Sequence, residues 1–533
     1  MQRRTPLEVT RLYPDHGATL PGLLASREQQ NPEAPFLLFA GKTWTRQQFL
    51  TASRQLATGL AAWGVSPGSR VAITATNHEA HVLLLFALAH LNAAMVPLNP
   101  AATAAEMRYV LEKSQVSAVA VSPATLAVTR EAIDGLADQP RLLDITRELS
   151  GLTSLAELMA QAIDAPLPQP DAEATCLVIF TSGTTGFPKG VMHSQKNFVV
   201  GGEANVSRLW LQPEDRVLTV MPLFHTNALF YSLAGSCAAG ACMILLERFS
   251  ASTFWNTAVD TGATTVNFIE AIGRILKARP RSEFRPDHRI ESVYGARADI
   301  QDCFRDEFHI RYLISGFGMT EIPGVCCVPF GGPALSGSMG KLGQHPDPDR
   351  QWAQARIVDD NGVDLPDGQT GEFWVRHPII MQGYLGDPAQ TADAFHDGWF
   401  KTGDLVRRDA DGVYWFVTRK KDIIRRRGEN ISGAELDRLL AEHPAIVEVA
   451  TVPVPSELGE DEVLACVVKR PDHSLSEAEL HRWCQQRMTA IKVPRFILFV
   501  DDLPHTPTHK VAKQVLKDSA VSLQRRAHDF NPA

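Results

Sequence analysis

Short apolar runs separated by helical patterns fill the first half of this chain, and that alternation limits its fold more than any other feature. RVAIT (70–74), AVAVS (118–122), CLVIF (176–180), VLTVM (217–221) and ACMILLE (241–247) read as strands. TRQQFLTASRQLATGLAAWG (45–64) and a segment ending near Ser114 carry the period of helices. Strands separated by helices predict an α/β fold, with layered, largely parallel sheets covered on both faces. The most apolar stretch, 82–89 in HVLLLFALAHLNAAM, is bracketed by His81 and His90. It is too short to span a bilayer and predicts a buried helix.

At 533 residues the chain exceeds one ordinary core, so two or more domains are expected. The Gly/Pro-rich segment PFGGPALSGSMGKLG (329–343) reads as a loop that breaks the rhythm. ARIVDD, GEFWV and VYWFV then read as short strands joined by turns at Asp360-Asn361-Gly362 and Asp411-Gly412. This predicts a β-rich subdomain over about 340–420 within a large N-terminal domain, 1–420. A basic run, RKKDIIRRRGEN, follows Thr418. The helix GAELDRLLAEHP and the strands VEVATVPV and EVLACVVK then predict a small α+β domain, 421–533, with a loosely held polar tail from about Ser519.

Hydrophobic residues make up 44% and charged residues 21%, the balance of a soluble globular protein. A net charge of -8 gives no basic footprint, so nucleic acid is not an expected partner. Eight cysteines occur without a CxxC pair, which points to neither a zinc site nor a disulfide framework. No apolar run follows Arg3 and Arg4, so no leader is expected and the cytoplasm is the expected home.

Directly after the strand CLVIF stands Thr181-Ser182-Gly183-Thr184-Thr185-Gly186-Phe187-Pro188-Lys189-Gly190. Glycines let backbone N–H groups approach a polyphosphate, hydroxyls add donors, and Lys189 adds positive charge. The spacing is not that of a Walker loop, because Phe187-Pro188 precede the lysine and glycine follows it. The segment resembles instead the core signature of the adenylate-forming superfamily, which includes acyl-CoA synthetases, peptide-synthetase adenylation domains and beetle luciferases.

The resemblance runs from about residue 20 to 517, with further motifs in the family's order. Gly316-Phe317-Gly318-Met319-Thr320-Glu321 resembles the second nucleotide motif, which implies Phe317 near adenine, Thr320 on the α-phosphate and Glu321 on Mg²⁺. Tyr294-Gly295-Ala296 resembles the adenine-pocket segment. Asp404, in GWFKTGD, and Arg419 match ribose contacts, and Lys421 matches the hinge between the two domains. Lys510 matches the adenylation lysine, an ammonium that offsets repulsion between a carboxylate and the α-phosphate. The family carries Ser-Gly before that lysine; here the residues are Thr508-His509, a departure that bears on adenylation rate.

Gly428-Glu429-Asn430 resembles the loop that opens the thiol tunnel of CoA ligases, where a glycine leaves room for a pantetheine arm. At the acyl-pocket motif MPLFHTN the chain has His225 where an amino-acid-activating enzyme needs an aspartate. Candidate pocket residues are His225, Asn227, Phe230, Phe268, Tyr294, Ile322 and Pro323, with Glu270 where relatives commonly carry proline. In flavour the chain is most similar to the crotonobetaine/carnitine–CoA ligase group and related acyl-CoA ligases. The resemblance implies an ATP-dependent, AMP-forming acid–thiol ligase using ATP, Mg²⁺ and CoA. The alternatives are an adenylation enzyme that loads an acyl carrier protein, or an adenylate-binding relative impaired in its first step.

Overall fold

Thr45 starts the helix Arg46–Ala62: its hydroxyl accepts the Gln48 N–H, and the Gln48 side chain accepts the Thr45 N–H. The same reciprocal cap opens Ala104–Ser114 at Thr103 and Leu155–Ala160 at Ser154. Each satisfies N–H groups that a helix start leaves unpaired, and so fixes where strand gives way to helix.

The computed structural model describes residues 3–161, 166–181, 188–333, 335, 337–350, 352–426, 429–457, 460–506 and 510–530, without the side chains of Lys421, Glu429 and Asn430. The described chain divides into two compact units, one gathering residues up to 181, 188–355 and 375–400, the other 356–374 and 401 onward.

The first unit holds two large sheets. One orders Tyr312–Ile314, Ser292–Tyr294, Thr265–Asn267, Arg216–Thr219, Cys242–Leu245 and Pro35–Phe39 in parallel, then Lys42–Thr45 antiparallel at the edge. The other runs Gly383–Tyr384, Lys189–Ser194, Thr175–Thr181, Ala94–Leu98, Arg70–Thr74, Ala118–Val121, Arg141–Asp144 and Thr153–Ser154. Ala94–Leu98 and Ala118–Val121 are buried throughout, as strands covered on both faces must be. The helix Glu79–His90 is buried from Ala80 to His90, which lowers the pKa of His81 to about 3 and of His90 to about 4. The mixed α/β expectation holds, and no helix among the described residues is long and apolar enough to cross a membrane.

Two local expectations fail. Within 329–343, Ser338–Leu342 is a strand, paired with Ile322–Cys327 so that Cys326 faces Leu342. Its Gly340 marks close packing rather than a loop, since it passes over Cys327 where any Cβ would collide. The tail from Ser519 is also docked: Ala520–Arg526 is a helix with Ala520 and Leu523 buried, and His528–Asp529 pairs with Phe496–Phe499.

In the second unit Ile446–Pro455, Asp461–Lys469, Phe496–Phe499 and His528–Asp529 form a sheet, with the helix Gly433–Ala441 against it. Leu436, Leu440, Val463, Ala465, Val467 and Ile497 close its core. Three cations of the basic run are paired with carboxylates. Arg419 meets Asp404, Lys420 meets Asp360 and Glu372, and Arg426 meets Glu462. All eight cysteines are free thiols, seven of them buried.

Candidate functional site

The hairpin of Thr175–Thr181 and Lys189–Ser194 sets Thr181 opposite Lys189, at the two ends of the expected phosphate loop. Ser182, Gly183, Thr184, Thr185 and Gly186 lie outside the described residues. Strand Gly383–Tyr384 adds antiparallel to this hairpin, Tyr384 opposite Val191. That register brings the Tyr384 ring to 4.7 Å from Lys189 Nζ, and its hydroxyl donates to Glu321 Oε1 at 2.9 Å. Glu321 is 8% exposed, and its backbone oxygen accepts the Met381 N–H at 2.8 Å. Lys189 and Glu321 therefore share one ring between them.

Thr320 sits beside Glu321 at the turn between strands Gly316–Met319 and Ile322–Cys327, where Phe317 faces Cys326 and Met319 faces Ile322. Its backbone oxygen lies 2.7 Å from His193 Nε2, and its hydroxyl 3.3 Å from Thr226 Oγ1. Burial lowers the His193 pKa to about 4, so the ring is neutral at pH 7. Asn197 Nδ2 donates to Nδ1 at 3.2 Å, which leaves the His193 proton on Nε2, aimed at Thr320. Gly295 has φ +99, and a Cβ there would lie 1.9 Å from the Phe268 oxygen, so this backbone path requires glycine. Ala296 beside it is fully buried, its oxygen held by Gln301.

The acyl-pocket candidates all belong to the first unit. Asn77 pins the segment that carries His225, donating to Met221 and Leu246 oxygens and accepting the Leu223 N–H at 2.7 Å. His225 is half-buried, its ring 4.1 Å from Phe224. Asn227 opens the helix Asn227–Ala234 with Oδ1 buried and without a hydrogen-bond partner among the described residues. Phe230 packs on His193 and Phe198, Phe268 on Phe304, and Tyr294 lies 4.9 Å from Tyr231. Ile322 and Pro323 are buried. Glu270 is the first residue of the helix Glu270–Ala278 and pairs with Arg274 and Arg297. Its charge is thus already matched, which favours the helix-start reading over recognition of a cation.

In the second unit Asp404 and Arg419, both expected on ribose, stand opposite each other in register and pair at 3.0 Å, with Asp404 fully buried. Thr402 fixes this strand by donating to the Phe373 oxygen and accepting the Asp404 N–H. Gly428 lies outside the described residues. The Glu429–Ser432 backbone pairs with Ile423–Arg426, Asn430 opposite Arg425. Lys421 is in a single helical turn, Lys420–Asp422. Lys510 is exposed, on a hairpin closed by the His505–Val511 bridge and by Thr506 N–H on the Lys510 oxygen at 2.7 Å. Thr508 and His509 lie outside the described residues.

Sequence reasoning missed His193, Tyr384, Asn77 and Tyr231. The first two touch the nucleotide motif across 127 and 63 residues of chain, separations that periodicity does not register. His193 alone had a local signal, its place two residues after Val191 on the strand that begins at Lys189.

The sequence model described as AMP-binding enzyme matches residues 24–385, and that described as AMP-binding enzyme C-terminal domain matches 435–510. The chain is 34% identical to a sulfoacetate–CoA ligase of Cupriavidus necator over 96% of its own length and 99% of that protein's. It is 30% identical to a crotonobetaine/carnitine–CoA ligase of Escherichia coli over 85% and 89%. Among solved structures, ATP-bound MatB from Rhodopseudomonas palustris matches with TM-score 0.81 and 25% identity, covering 94% of this chain and 98% of that one. O-succinylbenzoate coenzyme A synthetase from Bacillus subtilis, in complex with AMP, matches with TM-score 0.79 and 25% identity, covering 93% and 98%.

Proposed function

Because the chain belongs to the AMP-binding enzyme family, we propose that the residues gathered around Thr320 and Glu321 carry the adenylation half of an acyl-CoA ligase reaction. The enzyme is an ATP-dependent, AMP-forming acid–thiol ligase. A carboxylate attacks the α-phosphorus of ATP, pyrophosphate leaves, and the thiol of CoA then displaces AMP from the acyl-adenylate. The observation that carries the site reading is the Tyr384 ring between Lys189 and Glu321, which brings a phosphate-binding cation and a buried carboxylate to one wall.

In this reading Thr181 and the hydroxyls and glycines of 182–186 hold the polyphosphate with Lys189, and Phe317, Gly318, Met319, Gly295 and Ala296 line the adenine. Asp404 and Arg419 meet the ribose. Thr320 meets the α-phosphate, and Lys510 bridges it to the incoming carboxylate, offsetting the repulsion of two anions. Glu321 suits Mg²⁺: it is a hard oxygen donor, oriented from outside by the Tyr384 hydroxyl. Bound there, the ion would neutralise phosphate charge during attack. His225 and Asn227 flank the acid. The small domain, from 421, turns about Lys421 between the half-reactions, and CoA enters past Gly428, Glu429 and Asn430. The two named relatives act on different acids, so the acid is to be sought in this chain's own pocket.

The test is mass spectrometry of purified protein with Mg·ATP, CoA and a panel of carboxylic acids. A new CoA thioester is the expected product. Accumulated acyl-AMP without thioester would turn the second step toward a carrier-protein pantetheine. Absence of both would place this chain among relatives impaired in adenylation, which acyl-AMP supplied with CoA would then verify.

A further inference from the structure

Arg208 closes the last turn of the helix Gln195–Leu209 and is 5% exposed. Nη1 donates to Asn205 Oδ1 at 2.8 Å and Nη2 to the Gly324 oxygen at 2.7 Å, both neutral acceptors. Nε is buried with no hydrogen-bond partner among the described residues. Burial acts most strongly against its charge, and the groups that favour it are Cys327, which also takes a hydrogen bond from the guanidinium, Tyr294 and Tyr231, none of them a carboxylate. Burial raises both phenols above their ordinary range, so they are neutral at pH 7. A buried cation without a counter-charge is costly, and such groups are normally paired.

The other buried arginines each meet negative charge: Arg426 pairs with the Glu462 carboxylate. Arg27 and Arg46 donate to oxygens of Cys237, Ala238 and Gly240, the C-terminal end of the helix Gly235–Ala239, where partial negative charge collects. Gly324 lies inside a strand, Ile322–Cys327. There the backbone is kept bare for the guanidinium: Gly324 has φ +80, and a Cβ would lie 2.2 Å from Nη1 and 2.3 Å from Nη2. A second buried donor stands nearby. The Trp352 indole N–H has no partner among the described residues, and it and Arg208 Nη2 lie 3.7 and 3.6 Å from the Cβ position of Gly343.

The neighbourhood belongs to the acyl side of the site. Tyr231, whose ring centre is 5.5 Å from the guanidinium carbon, touches Tyr294, and Gly324 lies three residues beyond Glu321 on the same hairpin. Two residues of strand separate Ile322 from Gly324, roughly 7 Å. We propose that Arg208 selects the acid: the substrate carries a second anionic group, carboxylate or sulfonate, held by this guanidinium a few carbons from the carboxylate that is activated. The proposal rests on the acyl-CoA ligase reading and names the substrate class for that pocket.

The test compares α,ω-diacids from malonate to adipate with their half-amides, which match them in shape but lack the second charge. 3-Sulfopropionate against its methyl sulfone forms a further pair. Binding is measured calorimetrically to the intact enzyme, to Arg208→Lys and to Arg208→Met, with pyrophosphate release followed separately. The wild type is expected to bind the best diacid or sulfonate roughly 100-fold more tightly than its neutral partner. Arg208→Met should bind both alike, and Arg208→Lys should keep part of the preference. Equal or tighter binding of the neutral partner by the wild type at every length overturns the proposal, and that comparison needs no variant to fold. So does a preference that survives in Arg208→Met. A diacid bound through Arg208 that never releases pyrophosphate would leave this inference standing and remove the ligase reading of the site. Thioester formation without preference for a second charge would do the reverse.

Discussion

His193 Nε2 stands 2.7 Å from the backbone oxygen of Thr320, and Thr320 is the residue expected on the α-phosphate. The ring neither touches nucleotide in the proposed reading nor titrates near pH 7; it holds the turn that carries Thr320. His193→Ala is expected to slow pyrophosphate exchange by about 10- to 100-fold, since small displacements of reacting groups carry losses of that order. His193→Gln, which keeps a donor, should recover part of the rate. Equal defects in the two variants would mean that packing, and not this hydrogen bond, is what the site needs.

Tyr384→Phe removes the hydroxyl that orients Glu321 while keeping the ring beside Lys189. The Mg²⁺ concentration for half-maximal adenylation should rise by about 10-fold, with a smaller change in the rate at saturating metal. A titration that superimposes on the wild type would remove Glu321 from the metal.

Lys510→Ala should lower acyl-AMP formation by roughly 100- to 1000-fold, the usual loss of a transition-state donor. Thioester formation from supplied acyl-AMP and CoA should persist. Because Thr508 and His509 replace Ser-Gly before this lysine, His509→Gly is expected to raise the adenylation rate; a fall would mean that the histidine has become part of the loop's working shape.

Acid should weaken the fold well above the range of ordinary carboxylates. Burial lowers the pKa of His90 and His193 to about 4 and of His81 and His377 to about 3, against about 6.5 in the unfolded chain. Between pH 6.5 and 4 the unfolded state therefore binds more protons, and stability falls as pH is lowered through that window. Each such histidine contributes about 1.4 kcal/mol per pH unit there. Denaturant midpoints should drop steadily from pH 6.5 to 4.5; a flat profile would contradict the assignment.

Glu203 is 4% exposed and is shared by His16, His345 and Arg350 at 3.2, 3.2 and 3.1 Å. Burial pushes its carboxyl up, but the hydrogen bonds from both histidines, together with the charges of His16 and Arg350, hold it well below the usual range. Glu203→Gln should cost about 3 kcal/mol, read as a lower unfolding midpoint at pH 7.

Strands such as Cys242–Leu245 and Ala118–Val121 were legible because burial on both faces demands unbroken apolar runs, and the caps at Thr45 and Thr103 because their partners lie three residues away. Ser338–Leu342 was not, since a glycine that lets strands pass closely, as Gly340 does, also looks like a loop signal. The docked C-terminal helix was hidden by its polar face, with only Ala520 and Leu523 turned inward. In the candidate site, motif residues were legible one by one, but the side chains that orient them were not. Tyr384, His193, Asn77 and Arg208 act across long stretches of chain, and only the folded backbone brings such pairs together.

The buried thiols turn the enzyme into its own recorder of breathing. Burial raises the pKa of Cys237, Cys466 and Cys484 to about 12, so the thiolate that an alkylating reagent attacks is scarce while the fold stays shut. Only Cys327 is not buried, and it should be labelled first. The remaining sulfurs report openings of their surroundings. Cys237 lies in the first unit and Cys466 and Cys484 in the second, so one time course of labelling, read by peptide mass, contains two clocks. Their difference measures which unit comes apart first.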